Sequence, residues 1–161
     1  MTVEFFVAGV AQPKGSARAF IPKGWQRAVI TSSNPRLKEW QTLVSLEAAR
    51  HVPQGALDGP VVVEVGFILH RPESLPKKVA HCTKKPDVDK LARAALDALT
   101  GIVFKDDAQV VDLLARKRYV RPGGTTGVLV SVRPAREDQQ LALTPKFTDA
   151  CTDSPSPSLF G

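Results

Sequence analysis

The chain has 161 residues, 43% of them hydrophobic, and a formal net charge of +6. That length suits one domain with a real core and leaves little room for a second. No apolar run approaches the roughly 18–20 residues of a membrane-spanning helix, so no membrane partner is expected, and the basic balance points to polyanions, because Lys and Arg neutralise phosphates and release condensed counterions.

The charge is uneven along the chain. From Ala135 on, Arg136 and Lys146 stand against Glu137, Asp138, Asp149 and Asp153, a net of −2, which leaves +8 of the total of +6 on the first 134 residues. In chain order, residues 2–10 are rich in Val and Phe and predict a first strand. They carry no basic region of the signal-peptide kind, so a cytoplasmic location is the expectation. Residues 11–16, with Pro13 and Gly15, mark a turn. Residues 17–33 interleave Arg18, Lys23 and Arg27 with Phe20 and Trp25, as a loop or irregular hairpin. That mixture suits phosphate contact with base stacking, and equally a surface loop with hydrophobic anchors.

Asn34-Pro35 predicts a helix start, Asn as N-cap and Pro at the first helical position. Leu37, Trp40, Val44 and Ala48, with Leu43 beside them, follow at helical spacing, and Pro53 and Gly55 end the run. Residues 60–69 predict a strand with Val61, Val63, Val65, Phe67 and Leu69 on one face. A polar connection with two basic pairs, Lys77-Lys78 and Lys84-Lys85, leads to a second helix over residues 88–100. Its apolar stripe is Val88, Leu91, Ala92, Ala95, Leu96 and Leu99, and Gly101 stands where a helix-ending glycine belongs. Residues 102–105 form a short strand or turn before Asp106-Asp107. Residues 109–120 and 127–132 predict two more strands around an Arg121-Pro122-Gly123-Gly124 turn. After Pro134 periodicity disappears and Thr, Ser, Pro, Gln and Asp dominate, so residues 135–161 are expected to be a disordered tail. Cys82 and Cys151 lack ligand-like spacing, and His81-Cys82 alone does not make a zinc site.

The candidate chemistry lies between Pro86 and Asp107. Asp87 and Asp89 sit at a helix entrance, near the positive end of the helix dipole, and Asp106-Asp107 follow the helix. If the two ends approach, all four carboxylates converge. Four unpaired carboxylates repel one another and DNA alike, and a hard divalent cation resolves the conflict. The plainer reading makes Asp87 an N-cap and Asp106-Asp107 a turn. On the polar face of the second helix are Lys90 and Arg93, with Asp97 placed for a surface ion pair to Arg93 of little weight. The alternative is that Arg93, one turn from Asp89, contacts phosphate. In Arg116-Lys117-Arg118, strand alternation sets Lys117 on the opposite face from its neighbours.

Pro86-Asp87-Val88-Asp89-Lys90-Leu91-Ala92-Arg93, then Leu96-Asp97-Ala98-Leu99-Thr100 and Asp106-Asp107-Ala108-Gln109-Val110-Val111, resembles the RusA family of Holliday-junction resolvases, over roughly residues 85–119. The resemblance implies a small, commonly phage-borne α/β homodimer that nicks four-way DNA junctions with magnesium or manganese. The family's catalytic aspartates fall on Asp87, Asp89 and Asp107, with Asp106 as an adjacent acidic residue that supports the metal. Lys90 stands where the best-studied pattern has Asn, and Arg93 where it has Lys. Arg is the poorer proton donor, so phosphate stabilisation suits Arg93 better than acid catalysis. Lys117 matches a basic position on the following strand.

The expectation is therefore an α/β fold of the α+β type, a small mixed sheet packed by two main helices over residues 1–134, with the tail beyond it. Its function is expected to be magnesium-dependent resolution of four-way junctions in DNA recombination and repair. Asp87, Asp89 and Asp107, with Asp106, hold the metal. Arg93 and Lys117 complete the catalytic set. Lys14, Arg18, Lys84, Lys85, Lys90, Arg116 and Arg118 are the candidate DNA contacts. The rival expectations are a metal-dependent nuclease for other branched DNA or for RNA, and a non-catalytic DNA-binding protein.

Overall fold

The computed structural model describes residues 1–136 other than 16, 22, 28 and 33. The expected tail, from residue 137 on, lies outside the described residues. The elements run β1 (Val3–Ala8), β2 (Ala17–Phe20), β3 (Val29–Ser32), α1 (Leu37–Arg50), β4 (Val61–Leu69), α2 (Val88–Leu99), β5 (Val110–Tyr119) and β6 (Gly127–Pro134).

Four strands form one mixed sheet in the order β1-β6-β4-β5, and β2 pairs with β3 in a separate hairpin. β4 lies antiparallel to β6 and parallel to β5. A parallel neighbour needs a crossover, and α2 supplies it: the chain leaves the end of β4, returns along α2, and enters β5 at the end where β4 began. The crossover sets the two ends of α2 at opposite ends of the sheet.

The predicted alternation of β4 holds. Val61, Val63, Val65, Phe67 and Leu69 are all buried, and they align with Val3, Phe5 and Val7 of β1 through Val128, Val130 and Val132 of β6. α1 and α2 cover this face. Ala94, Ala95 and Ala98 of α2 are buried, and such small side chains let α1 approach closely enough for Gln41 Nε2 to donate to the Ala94 carbonyl at 3.0 Å and Ser45 Oγ to that of Ala98 at 2.8 Å. Gly101, at φ +80°, ends α2 in the left-handed region, as expected.

Two expectations are corrected. α1 starts at Leu37, not at Asn34-Pro35: Asn34 Oδ1 accepts from the Arg36 amide at 3.2 Å, as a capping oxygen does, but that bond closes a turn ahead of the helix, which Asn34 Nδ2 ties to Gln12 Oε1 at 3.2 Å and to the Pro13 carbonyl at 3.0 Å. Leu43, placed beside the core face, is 53% exposed.

Candidate active site

α2 begins at Asp87, whose backbone is extended (φ −71°, ψ 139°) and whose carbonyl accepts the first helical bond from the Leu91 amide at 3.1 Å. Residues in this position usually cap the helix with their side chain. The Asp87 side chain makes no such bond. Its carboxylate is instead 45% exposed and lies 3.2 Å from the Lys90 ammonium. Asp89, in the first turn, is exposed and carries no hydrogen bond or ion pair among the described residues. Two carboxylates thus stand at the positive end of α2 without capping it. Asp87 lines a concavity of about 520 Å³ together with Lys14, Lys85 and Lys90, an arrangement suited to a divalent cation and a polyanion together.

Arg93, one helical turn beyond Asp89, is exposed and has no partner among the described residues. The expected Arg93–Asp97 ion pair does not form. Asp97 is taken by Lys14, whose ammonium sits 2.6 Å from Asp97 Oδ2 and whose amide donates to the Lys90 carbonyl at 3.0 Å. Lys14 therefore fastens the segment after β1 onto α2, at the rim of the concavity.

Lys117 occupies the helix-covered face of β5, aligned with Phe67. Its ammonium donates to the Lys84 carbonyl at 2.8 Å and to the Pro86 carbonyl at 2.9 Å. Lys117 therefore holds the backbone immediately before Asp87. A second clamp acts farther up the same connection. Arg71 donates to the carbonyls of Val79 and Pro76, both at 2.8 Å, and its guanidinium lies 5.3 Å from the centre of the Tyr119 ring. Neither clamp follows from local sequence pattern, and Arg71 was not a candidate. The nearest signal is alternation, which sets Lys117 apart from Arg116 and Arg118.

Asp106 and Asp107 are elsewhere. Asp107–Gln109 is a single 3-10 turn that enters β5. Asp106 Oδ1 accepts from the Ala108 amide at 2.8 Å, and Gln109 Oε1 accepts from the amides of Lys105 and Asp106 at 2.7 and 3.0 Å. This reciprocal cap occupies the Asp106 carboxylate. Gln109 Nε2 then ties the turn to the carbonyls of Leu57 at 3.1 Å and Gly59 at 2.7 Å, at the beginning of β4. Asp107 is exposed and unpartnered among the described residues. Because Lys117 marks the Asp87 end of β5 and Val110 the Asp107 end, the two carboxylate pairs are separated by about 23 Å of strand at the usual rise per residue. The expected convergence of all four within one chain is not what the crossover builds. Among the described residues no three His, Cys, Asp or Glu side chains of one chain gather where a metal ion could be held.

The remaining candidates divide. Lys84 and Lys85 are exposed on the connection leading to Asp87, and Lys90 is half-buried beside it. Arg116 lies on the sheet face away from the helices, in a groove with Glu4 and Glu64, and is not part of the Asp87 site. Arg118 projects at the end of β5. Arg18 belongs to β2, and its side chain lies outside the described residues.

No helix among the described residues is long and apolar enough to cross a membrane. Residues 11–133 match the family described as endodeoxyribonuclease RusA. The Bacillus subtilis (strain 168) protein YqaN, itself described as uncharacterised, is 32% identical over 127 residues, which cover 73% of this chain and 87% of that protein. A family match across most of the folded body, together with a relative aligned over nearly its full length, establishes that this chain belongs to the RusA family of endodeoxyribonucleases.

Proposed function

We propose that this chain is a magnesium-dependent endodeoxyribonuclease that resolves four-way (Holliday) junctions in DNA recombination and repair, and that it works as a homodimer. The observation that carries the reading is Asp87: it occupies the N-cap position of α2, yet its carboxylate does not cap and faces a lysine-lined concavity. A carboxylate placed there for helix stability alone would bond the first-turn amides.

Asp87 and Asp89 would hold the cation. The donor set fits magnesium, which takes one or two carboxylates and leaves its other positions to water and phosphate; manganese accepts the same oxygen donors. The cation supplies Lewis acidity toward the scissile phosphate and the attacking water. The chain's own groups do the rest. Arg93, on the same polar face as Asp89, offers a planar fork to the non-bridging phosphate oxygens. Lys85 and Lys90 neutralise neighbouring phosphates. Lys117 fixes the Pro86 carbonyl and with it the direction of the Asp87 side chain.

Asp107 enters through a second copy. β5 is an edge strand with Val111, Leu113 and Leu114 exposed, and an unpaired apolar edge invites pairing with another chain. Two copies related by a two-fold axis across β5 run antiparallel, so the beginning of one strand lies beside the end of the other. That pairing sets Asp107 of one copy near Asp87 and Asp89 of the other, and gives two symmetric sites for paired nicks.

The test is cleavage of a synthetic four-way junction, a fork and a linear duplex with and without magnesium, by wild type and Asp87→Asn. The expected result is magnesium-dependent cutting of the junction alone, lost in the variant while junction binding survives. Equal cutting of all three substrates would overturn the junction assignment, and undiminished cutting by Asp87→Asn would overturn the carboxylate site.

A further inference from the structure

A second basic concavity lies beyond the Arg71–Tyr119 clamp. It measures about 390 Å³, and Arg71, Lys77, Arg118 and Arg121 line it around Tyr119. None of its lining residues carries a carboxylate. Lys77, Arg118 and Arg121 are exposed and make no ion pair or hydrogen bond through their side chains among the described residues. Elsewhere on the body several cations stand in ion pairs: Lys14 with Asp97, Arg50 with Glu47, Lys90 with Asp87, Lys105 with Asp58. Four cations gathered in one hollow repel one another, and the fold brings no acid to relieve them.

The hollow is also rigidly built. Arg71 spends its guanidinium on two main-chain carbonyls and on the Tyr119 ring, so it shapes the wall, while Lys77, Arg118 and Arg121 keep their donors free. Arg118, at the end of β5, and Arg121, at the turn after it, are three residues apart, at most about 10 Å of chain. That reach suits two neighbouring phosphates of one DNA strand. The same connection that forms one wall of the hollow continues to Lys84, Pro86 and Asp87, where Lys117 clamps it.

We propose that the Arg71–Lys77–Arg118–Arg121 concavity is a second DNA-backbone site, which takes about two consecutive phosphates of an arm away from the cut and sets the junction in register with Asp87 and Asp89. It rests on the endonuclease reading above. Being phosphate-directed, it orients DNA without reading sequence.

The experiment measures binding of a fluorescently labelled four-way junction by anisotropy, in calcium to suppress cutting, across a series of KCl concentrations. The proteins are the full chain, the triple variant Lys77→Ala/Arg118→Ala/Arg121→Ala, and Lys38→Ala, an exposed lysine of α1, as control. Losing about two phosphate contacts lowers the slope of log K against log salt by about 1.8 and weakens binding roughly thirtyfold at 0.15 M salt. The triple variant is expected to show both changes with an unaltered thermal midpoint, and the control neither. An unchanged slope in the triple variant, with wild type binding normally, overturns the second site and leaves the endonuclease reading intact. A wild type that binds no junction at all overturns the endonuclease reading itself. Millimolar inorganic phosphate, matched for ionic strength with KCl, is expected to leave the complex intact. Displacement by phosphate beyond the KCl control would assign the hollow to a small phosphate ligand and overturn the DNA assignment.

Discussion

Lys117→Met separates two roles that a lysine beside a nuclease site can have. Methionine keeps most of the unbranched stem and removes the ammonium. The ammonium donates to two main-chain carbonyls, Lys84 at 2.8 Å and Pro86 at 2.9 Å. A hydrogen bond from a charged donor contributes about 1.5–3 kcal/mol when its acceptor is buried. Here the site is half-buried, so water re-solvates the released carbonyls and each bond counts at the low end or below. A total loss of about 2 kcal/mol follows, which for a body of this size lowers the thermal midpoint by roughly 5–8 °C. Junction cutting falls in parallel, because the chain before Asp87 loses its anchor. Lys117→Arg does not restore the midpoint, since a planar fork does not reproduce two donors from one tetrahedral nitrogen. The measurements are thermal and urea unfolding beside single-turnover cleavage. If Lys117→Met abolishes cutting while leaving both unfolding midpoints unchanged, the ammonium acts on the substrate and the clamp argument is wrong.

Asp106→Ala removes the capping oxygen of the turn before β5 and is expected to cost about 1 kcal/mol in urea unfolding while the junction is still cut. Loss of cutting without loss of stability would make Asp106 a member of the site. Tyr119 is the single tyrosine of the chain. Burial is the largest influence raising its phenol above the ordinary value, the Cys82 thiol adds to it, and the Arg71 guanidinium opposes it. A group raised in the folded state stabilises fully below its unfolded pKa of about 10 and loses that contribution as pH climbs through the folded value. The thermal midpoint is therefore expected to be insensitive to Tyr119 up to about pH 9 and to gain an alkaline decline that Tyr119→Phe reduces. Phenolate absorbance reads the same group directly, and an ionisation at or below the free-tyrosine value would contradict the raised pKa.

The sheet core was legible because one buried face leaves a period of two in β4, and α2 because its stripe and its terminal Gly101 agree. What escaped the sequence depends on partners distant along the chain. Asn34 has the composition of an N-cap and its Oδ1 accepts from the Arg36 amide, but its Nδ2 is held by Gln12 and the Pro13 carbonyl and the helix begins only at Leu37. Asp97 sits four residues after Arg93, the spacing of an ion pair, but the loop after β1 delivers Lys14 to it first. Lys117 reads as one of three cations on a strand, and nothing local reveals that carbonyls 33 and 31 residues earlier will receive it. The carboxylates were visible as residues, but their separation was not. A helix followed by a strand suggests that its ends approach, whereas parallel pairing of β4 and β5 obliges α2 to traverse the sheet.

That traverse makes a sharp prediction about how the site is completed. If Asp107 serves the Asp87–Asp89 pair of a second copy, then Asp87→Asn and Asp107→Asn are each inactive as homodimers but complement one another. In a mixed dimer, one site combines both substitutions, and the other combines the unaltered Asp87 and Asp89 of one copy with the unaltered Asp107 of its partner. Equal mixing with free exchange gives half mixed dimers, each with one intact site of two, so roughly a quarter of the wild-type sites return. Unfolding and refolding the two variants together, then measuring nicks on a four-way junction, reads this directly. The products should be single nicks more than paired ones, because only one site per dimer is competent. If the site closed within a single chain, each chain of the mixture would still carry one defect and no activity would return. An Asp107→Asn homodimer that still cuts would remove Asp107 from the site and leave the cation to Asp87 and Asp89 alone.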